Sequence, residues 1–507
     1  MSSMDVLTDY RVDDQDNNMS IRTETLDPIV SSSYRYQFRL DTSAFLDKNT
    51  LLTFKASATG GLGNENGRLN CWNGGLGCIK AVEFQVGDFQ VQRIEDINLW
   101  ASTNVLYALP PQVQTKKLGH YLHNQLIYEI TSASGATSGG TSDQRGQIVV
   151  DNVDSGINFG RSHDANNCAI NSFKLSTDAS NNQKVGIPLG MLLPMLNQEQ
   201  LPLFLMTNYK VHITIEFESD ASKFCNDITK TNFGAGESLA ASDGEVAFSD
   251  VQLLVDYLIL PARVQNSYLE RTQSEGGFNL DFVNPLNIKK SEVAHSTANT
   301  EYSLEHRINV INQEVHYVQQ LKRFGDTAGG NAKKFYNKVL LGQRADGFSL
   351  EQIQYNVNGV DIYTHGFVSN PCELYNNCTY VLGRDLQVVK PLYMKDPNTE
   401  ASMLSPPQNG LLGKYKPLML DLSNGEPSVR GGGRFIGEYP IIVRMKQKPQ
   451  DATDTNTGAT AYFTTTNFEI APTELEAVDY TYFVGATRVL NVKTMPNGAQ
   501  NVVVSDM

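Results

Sequence analysis

The residues Val82-Glu83-Phe84-Gln85-Val86-Gly87-Asp88-Phe89-Gln90-Val91 decide the fold, because the same device is written twice. The counterpart is Ile353-Gln354-Tyr355-Asn356-Val357-Asn358-Gly359-Val360-Asp361-Ile362. Each stretch reads as an alternating strand, a two-residue loop and a second strand. Asn-Gly suits a type I′ loop, in which both residues take positive φ, whereas a leading glycine, as in Gly87-Asp88, suits type II′. One hairpin is thus built twice with different turn chemistry.

Two further blocks recur in the same order, and such order matters more than any one match. After each hairpin comes a short expected helix, Asp96 to Tyr107 with Leu99-Trp100 and Asn370 to Tyr380 with Leu374-Tyr375. The later copy starts well, with Asn370 as N-cap, Pro371 next and Glu373 in the first turn. Each half then closes on Val255-Asp256-Tyr257 leading to Arg263-Val264, or Val478-Asp479-Tyr480 leading to Arg488-Val489. The second copy is longer around Gly485-Ala486, which suggests a bulge or kink. The first strands of the halves do not align, so two unrelated β domains stay open as the competing reading.

Outside the repeat, Tyr34 to Asp41 and Tyr209 to Glu218 alternate cleanly. Tyr209, Val211, Ile213, Ile215 and Phe217 are expected to face a core, with Lys210, His212, Thr214, Glu216 and Glu218 facing out. Tyr439 to Lys446 and Ala461 to Ile470 read as further strands. Long polar stretches, Thr131 to Gly146, Ser219 to Gly244, Pro397 to Gly433 and Gln447 to Gly458, read as surface loops on a rigid scaffold. Half-buried strands must stack two sheets face to face, and eight-stranded jelly rolls do this while tolerating long loops. The fold class expected is all-β: two tandem eight-stranded jelly-roll β-sandwiches with short helices and long loops. The expected division is an N-terminal arm at 1–30, a first jelly roll at 31–266, an inter-domain connection at 267–300, a second jelly roll at 301–492 and a C-terminal tail at 493–507.

Composition agrees with folded domains. The 507 residues are 40% hydrophobic and 19% charged, with a formal net charge of -14 that disfavours general nucleic-acid binding. No apolar run approaches a membrane span, and Met1 to Ser20 is polar and acidic, so neither a signal nor a transit peptide is expected. Cys71, Cys78, Cys168, Cys225, Cys372 and Cys378 form no CxxC pair and are expected as free thiols in a reducing compartment. The sequons at Asn18 and Asn377 are read as chance matches.

The chain resembles the double jelly-roll major capsid proteins of polinton-like viruses, virophages and their adenovirus-like relatives. The resemblance is carried by Ile187-Pro188-Leu189-Gly190-Met191-Leu192-Leu193-Pro194 running into Leu201-Pro202-Leu203-Phe204 and the strand Tyr209 to Glu218. The hairpin with helix at Val82 to Tyr107 and the closing strand Val251 to Val264 add to it. It is a likeness of layout over roughly Ser31 to Val492, with no diagnostic short motif. It implies a viral structural protein: a homotrimeric, pseudo-hexagonal, hexon-like capsomer that tiles the icosahedral capsid of a DNA virus. The partners it implies are further capsomers, penton and minor capsid proteins. Location in the virion follows, with synthesis in the host cytoplasm and assembly in cytoplasm or nucleus.

The candidates for chemistry are weak, and no catalytic, cofactor or metal site and no small-molecule substrate are expected. Asp454 to Gly458 opens like a calcium loop but lacks its closing glutamate. His120 and His123 lack further zinc ligands nearby. His212 lies on a polar strand face, and His306 and His316 flank an alternating segment where titration near neutrality could matter. Gly431-Gly432-Gly433-Arg434 lacks the Lys-Ser/Thr of a phosphate loop, so a close backbone crossing is the better reading. Lys116-Lys117 and Lys333-Lys334 read as solvated pairs, the alternative being weak contact with packaged DNA or an inner membrane. Trp100 and Tyr375 are expected as equivalent aromatic plugs. The competing functions are a lectin or carbohydrate-binding double β-sandwich, a cupin-type enzyme, and a minor capsid or spike protein.

Overall fold

The computed structural model describes residues 20–47, 50–59, 67–69, 74–101, 126–130, 148–151, 168–170, 184–198, 201–227, 245–274, 276–292, 302–324, 348–363, 366, 377, 381, 418–424, 429–449, 478–494 and 500–507. In the first half the main strands are β1 (Ser20–Leu26), β2 (Arg35–Leu40), β3 (Leu51–Thr59), β4 (Ile79–Val86), β5 (Phe89–Glu95), β6 (Lys184–Pro188), β7 (Val211–Phe217) and β8 (Glu245–Ile259). The second half has β9 (Phe278–Glu292), β10 (Tyr302–Ile308), β11 (Gln313–Phe324), β12 (Phe348–Val357), β13 (Val360–Asp361), β14 (Leu418–Asp421), β15 (Ile441–Pro449) and β16 (Val478–Thr494). A last strand, β17 (Gln500–Asp506), pairs with β16.

The pairings run β1-β8-β3-β6 and β2-β7-β4-β5 in the first half. They run β9-β16-β11-β14 and β10-β15-β12-β13 in the second. Each label in the first half plus eight gives its partner in the second, so one jelly-roll topology is built twice. Alternation explains the stacking. Phe38, Phe84 and Ile213 from one sheet share a buried core with Phe54, Leu253 and Val255 from the other. Phe217 bridges the sheets, its ring centroid 5.0 Å from Phe54 and 4.2 Å from Phe248. The second roll encloses its own core of Ile308, Val318, Ile353, Tyr355, Val443, Tyr480, Tyr482 and Val484.

The turns take the expected forms. Gly87 has φ +59° and Asp88 stays at negative φ, while Asn358 and Gly359 have φ +53° and +78°. The outward face of β7 departs from expectation. Thr214 is buried, on a central strand in register between Gln37 and Glu83. Glu218 is also buried, its carboxylate accepting the Asp220 backbone N–H at 3.4 Å.

Several expected boundaries move. The N-terminal arm contains β1, which pairs along β8 from Ser20↔Ile259 to Leu26↔Leu253. The expected connection contains β9, whose Phe278 pairs with Val492 and Glu292 with Val478. The true link is a helix, α1 (Ala262–Ser274), so Arg263-Val264 is helical while Arg488-Val489 lies within β16. The tail contains β17, and the stretch expected as a loop from Pro397 to Gly433 contains β14. Val255-Asp256-Tyr257 and Val478-Asp479-Tyr480 do lie on equivalent strands, but at opposite ends of them. The irregularity near Gly485-Ala486 exists, with the extra residue, His316, on the neighbouring strand β11. After the first hairpin, residues 97–101 are helical. In the second half only Asn377 and Val381 of the corresponding region are described, both helical, and Ala461 to Ile470 lies outside the described residues.

Candidate functional site

The chemistry of this chain is concentrated where its two rolls meet. The sheet β9-β16-β11-β14 is buried on both faces: Tyr482 and Val484 enter the second roll's core, whereas Phe483 joins the core of the first. Phe278, Leu280, Phe282, Met419 and Leu490 join the first core as well. A strand buried on both faces loses alternation, which is why most of β16 is apolar or small.

Several polar groups in this seam find partners, as burial favours, although the buried Gln319 Nε2 and Asn287 Oδ1 have none among the described residues. The Gln92 amide, wholly buried on β5, donates to Asn284 Oδ1 at 3.3 Å and accepts the Met195 N–H at 3.4 Å. Asn287 Nδ2 donates to the Glu95 carbonyl at 3.1 Å and to Asp96 Oδ2 at 2.7 Å. Lys289 Nζ lies 2.5 Å from the same carboxylate. Asp96 has φ +49° and turns β5 into the helical residues 97–101, with the Leu99 N–H on its carbonyl at 2.9 Å. That turn aims Trp100 across the seam, where Nε1–H donates to the Tyr317 hydroxyl at 3.2 Å. Burial pushes the Tyr317 phenol up to about 12, against a smaller lowering by the Trp100 bond. Its ring lies flat over Gly485, where a Cβ would come within 2.3 Å. Trp100 is therefore a plug, as expected, and also a tie between the rolls. Tyr375 lies outside the described residues.

The other candidates disperse. His306 is buried, with Nδ1 2.6 Å from the Tyr482 hydroxyl and its ring edge-on to Tyr480. His316 lies in the bulge, with Nε2 2.8 Å from Thr487 Oγ1. His212 is half-buried, and burial together with Arg39 and Lys210 lowers its pKa from the ordinary value. The Gly431 to Arg434 segment is a close crossing: Gly433 N–H donates to Glu314 Oε1 at 2.7 Å, and a Cβ on Gly433 would meet the Val315 carbonyl at 3.0 Å. Cys78 and Cys225 are buried and form no disulfide, and burial raises both thiols. Cys168 begins the short strand Cys168–Ile170. His120, His123, Lys116, Lys117, Lys333, Lys334, Asp454 to Gly458, Cys71, Cys372 and Cys378 lie outside the described residues. Among the described residues no three His, Cys, Asp or Glu side chains gather to hold a metal. No helix there is long and apolar enough to cross a membrane.

The architecture defines a class first: an all-β double jelly roll, two copies of one topology joined edge to face. That is the fold of viral major capsid proteins. Over 98% of this chain and 99% of the other it is similar to PBCV-1 VP54 as fitted into a reconstruction of the virophage Sputnik, with TM-score 0.54 and 12% identity. A chain of the Sputnik virophage structure gives TM-score 0.56 at 10% identity, covering 97% of this chain and 90% of that one. The Faustovirus major capsid protein gives TM-score 0.53 at 10% identity, covering 94% and 91%. No protein-family model matches the chain. No curated protein matches it either.

Proposed function

We propose that this chain is the major capsid subunit of an icosahedral DNA virus, a homotrimer whose six rolls give a near-hexagonal tile. One observation carries the reading: the order of the eight main strands of one roll recurs in the other. Two like lobes per chain turn a threefold assembly into a nearly sixfold outline, and a closed ring needs no other partner to satisfy its interfaces. The seam's shared core and cross-roll hydrogen bonds support it, since a tile must hold its lobes at a fixed angle. Neighbouring capsomers, penton and minor capsid proteins are the further partners in this reading, with packaged DNA or an inner membrane as a weak inward contact, and the virion is its location. The carbohydrate-binding alternative finds no counterpart among the structures reported above.

The test is light scattering on the chromatographed full chain. The expected mass is three times 56.1 kDa, and electron micrographs of the peak should show hexagonal outlines. A stable monomer across micromolar concentrations overturns the reading.

A further inference from the structure

Tyr209 and Tyr439 hold the same place in the two rolls. Val211, two residues after the first, pairs with Val86, the last residue before the Gly87-Asp88 turn. In the second roll Ile442 pairs with Asn356, which sets Ile441 beside Val357, the last residue before the Asn358-Gly359 turn. The surroundings of the two tyrosines differ. Tyr209 is half-buried in the seam, its hydroxyl donating to the Gln500 carbonyl at 3.0 Å, while Asn208 N–H donates to Gln500 Oε1 at 2.9 Å. Tyr439 is 59% exposed.

Its neighbourhood is exposed with it. Phe435 is 58% exposed, whereas Leu205, equally far ahead of Tyr209, is buried. Val360 and Ile311 are 59% and 43% exposed. Hydrogen bonds knit the three contributing segments into one end of the roll: Asn358 Nδ2 to the Phe435 carbonyl at 2.8 Å, Gly437 N–H to Asn358 Oδ1 at 2.9 Å, and Asn312 N–H to the Ile436 carbonyl at 2.8 Å. The end that the second roll covers in part on the first roll, leaving Phe89, the equivalent of Val360, 41% exposed, is uncovered on the second. An apolar end of this kind marks an interaction site.

We propose that this end of the second roll docks on the first roll of a second copy of the chain, at the starting end of its β1. The contact within one chain is thereby repeated between chains. This rests on the capsomer reading above. The receiving place follows from register. Within the chain, Tyr209 meets Gln500, which pairs with Thr494 near the end of β16, where β9 also begins opposite Val492. In the first roll β1 begins opposite Ile259 near the end of β8, and there Ile21, 67% exposed, pairs with half-buried Leu258. Phe435 and Tyr439 meet Ile21 and Leu258, and three copies close with every such end covered.

Two variants of the full chain test this by light scattering, circular dichroism and non-reducing gels. Phe435→Ser with Tyr439→Ser should retain the wild-type spectrum and need a concentration about a hundredfold higher to trimerise, since central aromatics dominate such interfaces. Ile21→Cys with Tyr439→Cys should give, on oxidation, an inter-chain ladder reaching the trimer. A serine variant that is folded and as trimeric as wild type overturns the proposed inter-chain contact while leaving the capsomer reading intact. So does a cysteine variant that is trimeric but does not cross-link, which decides the matter if the serine variant fails to fold. A wild-type chain that never trimerises overturns the capsomer reading itself.

Discussion

The sheets β1-β8-β3-β6 and β9-β16-β11-β14 have one strand order and opposite outer faces. On the first, Ile21, Thr23 and Thr25 stand exposed, Thr23 Oγ1 donates to Asp256 at 2.7 Å and Lys55 pairs with Asp250 at 2.8 Å. On the second, Gln319, Thr481 and Phe483 are almost fully buried beneath the first roll. The inner faces of both are apolar, because that face alone must hide from water for a sandwich to form. The outer face is then free to differ: polar where it meets solvent, apolar where another roll lies on it. A duplicated fold can thus keep its topology while its surfaces diverge into a fixed seam on one side and an open docking place on the other.

The sharpest way to break that contrast is at Phe483. It stands between Tyr482 and Val484, which belong to the second roll's core, yet it is part of the first roll's core. Phe483→Ala should cost about 3–5 kcal/mol, the usual loss for a buried phenylalanine. It should lower the urea midpoint of the whole chain in one transition. Two separate transitions, with the first roll's unchanged, would show that the rolls fold independently and that the seam is only a contact.

What the sequence revealed follows the same contrast. The hairpins were legible to the turn type, because Gly87-Asp88 and Asn358-Gly359 are decided by local φ preferences. The alternation of β7 was legible because its inward face meets only its own core. The segments that failed are those whose burial depends on distant chain. In β9, Phe278, Leu280 and Phe282 do alternate, but Pro285 and Lys289-Lys290 disguise the strand, and only its edge position in the sheet tolerates that proline. The first strands resisted alignment because β1 is largely exposed and β9 lies in the seam. The helix α1 hid because, among its described side chains, only Val264 and Tyr268, one turn apart, are buried, too narrow a stripe to give a period. The seam itself had one trace, the aromatic at Trp100. Gln92, Asn284 and Asn287 gave none, since an amide on a strand reads as solvent-facing until its buried partner is known.

A smaller effect separates the two hairpins. Both turn glycines require positive φ, but a Cβ on Gly87 would meet the Tyr209 ring at 2.7 Å, whereas one on Gly359 meets nothing within 4 Å. Tyr209 cannot retreat without breaking its bond to Gln500. Gly359→Ala should therefore cost about 1 kcal/mol, the strain of left-handed backbone alone, and Gly87→Ala about 2–3 kcal/mol. Urea titrations with equal m-values compare them directly. Equal losses would mean that Tyr209 yields freely and that the seam does not hold it.

The smallest effect concerns acid. His212 on β7 and Ile442 on β15 are equivalent by register, so the rolls differ here by one titratable group. Burial first, then the Arg39 and Lys210 charges, hold the His212 pKa below its ordinary 6.5, outweighing a backbone hydrogen bond at Phe38 that acts the other way. The unfolded chain thus takes up this proton at a higher pH than the folded one. Between 6.5 and the lower folded value the unfolded state binds more protons, so stability falls as pH falls through that window and is level, for this group, on either side. His212→Ile, which writes the second roll's residue into the first, should flatten the pH dependence of the urea midpoint from pH 6.5 downward. It should leave the steeper loss at carboxylate pH, where Glu305 gives up its bonds from Arg307 and Arg444, untouched. An unchanged slope near neutrality in that variant would assign the acid sensitivity to histidines other than this one.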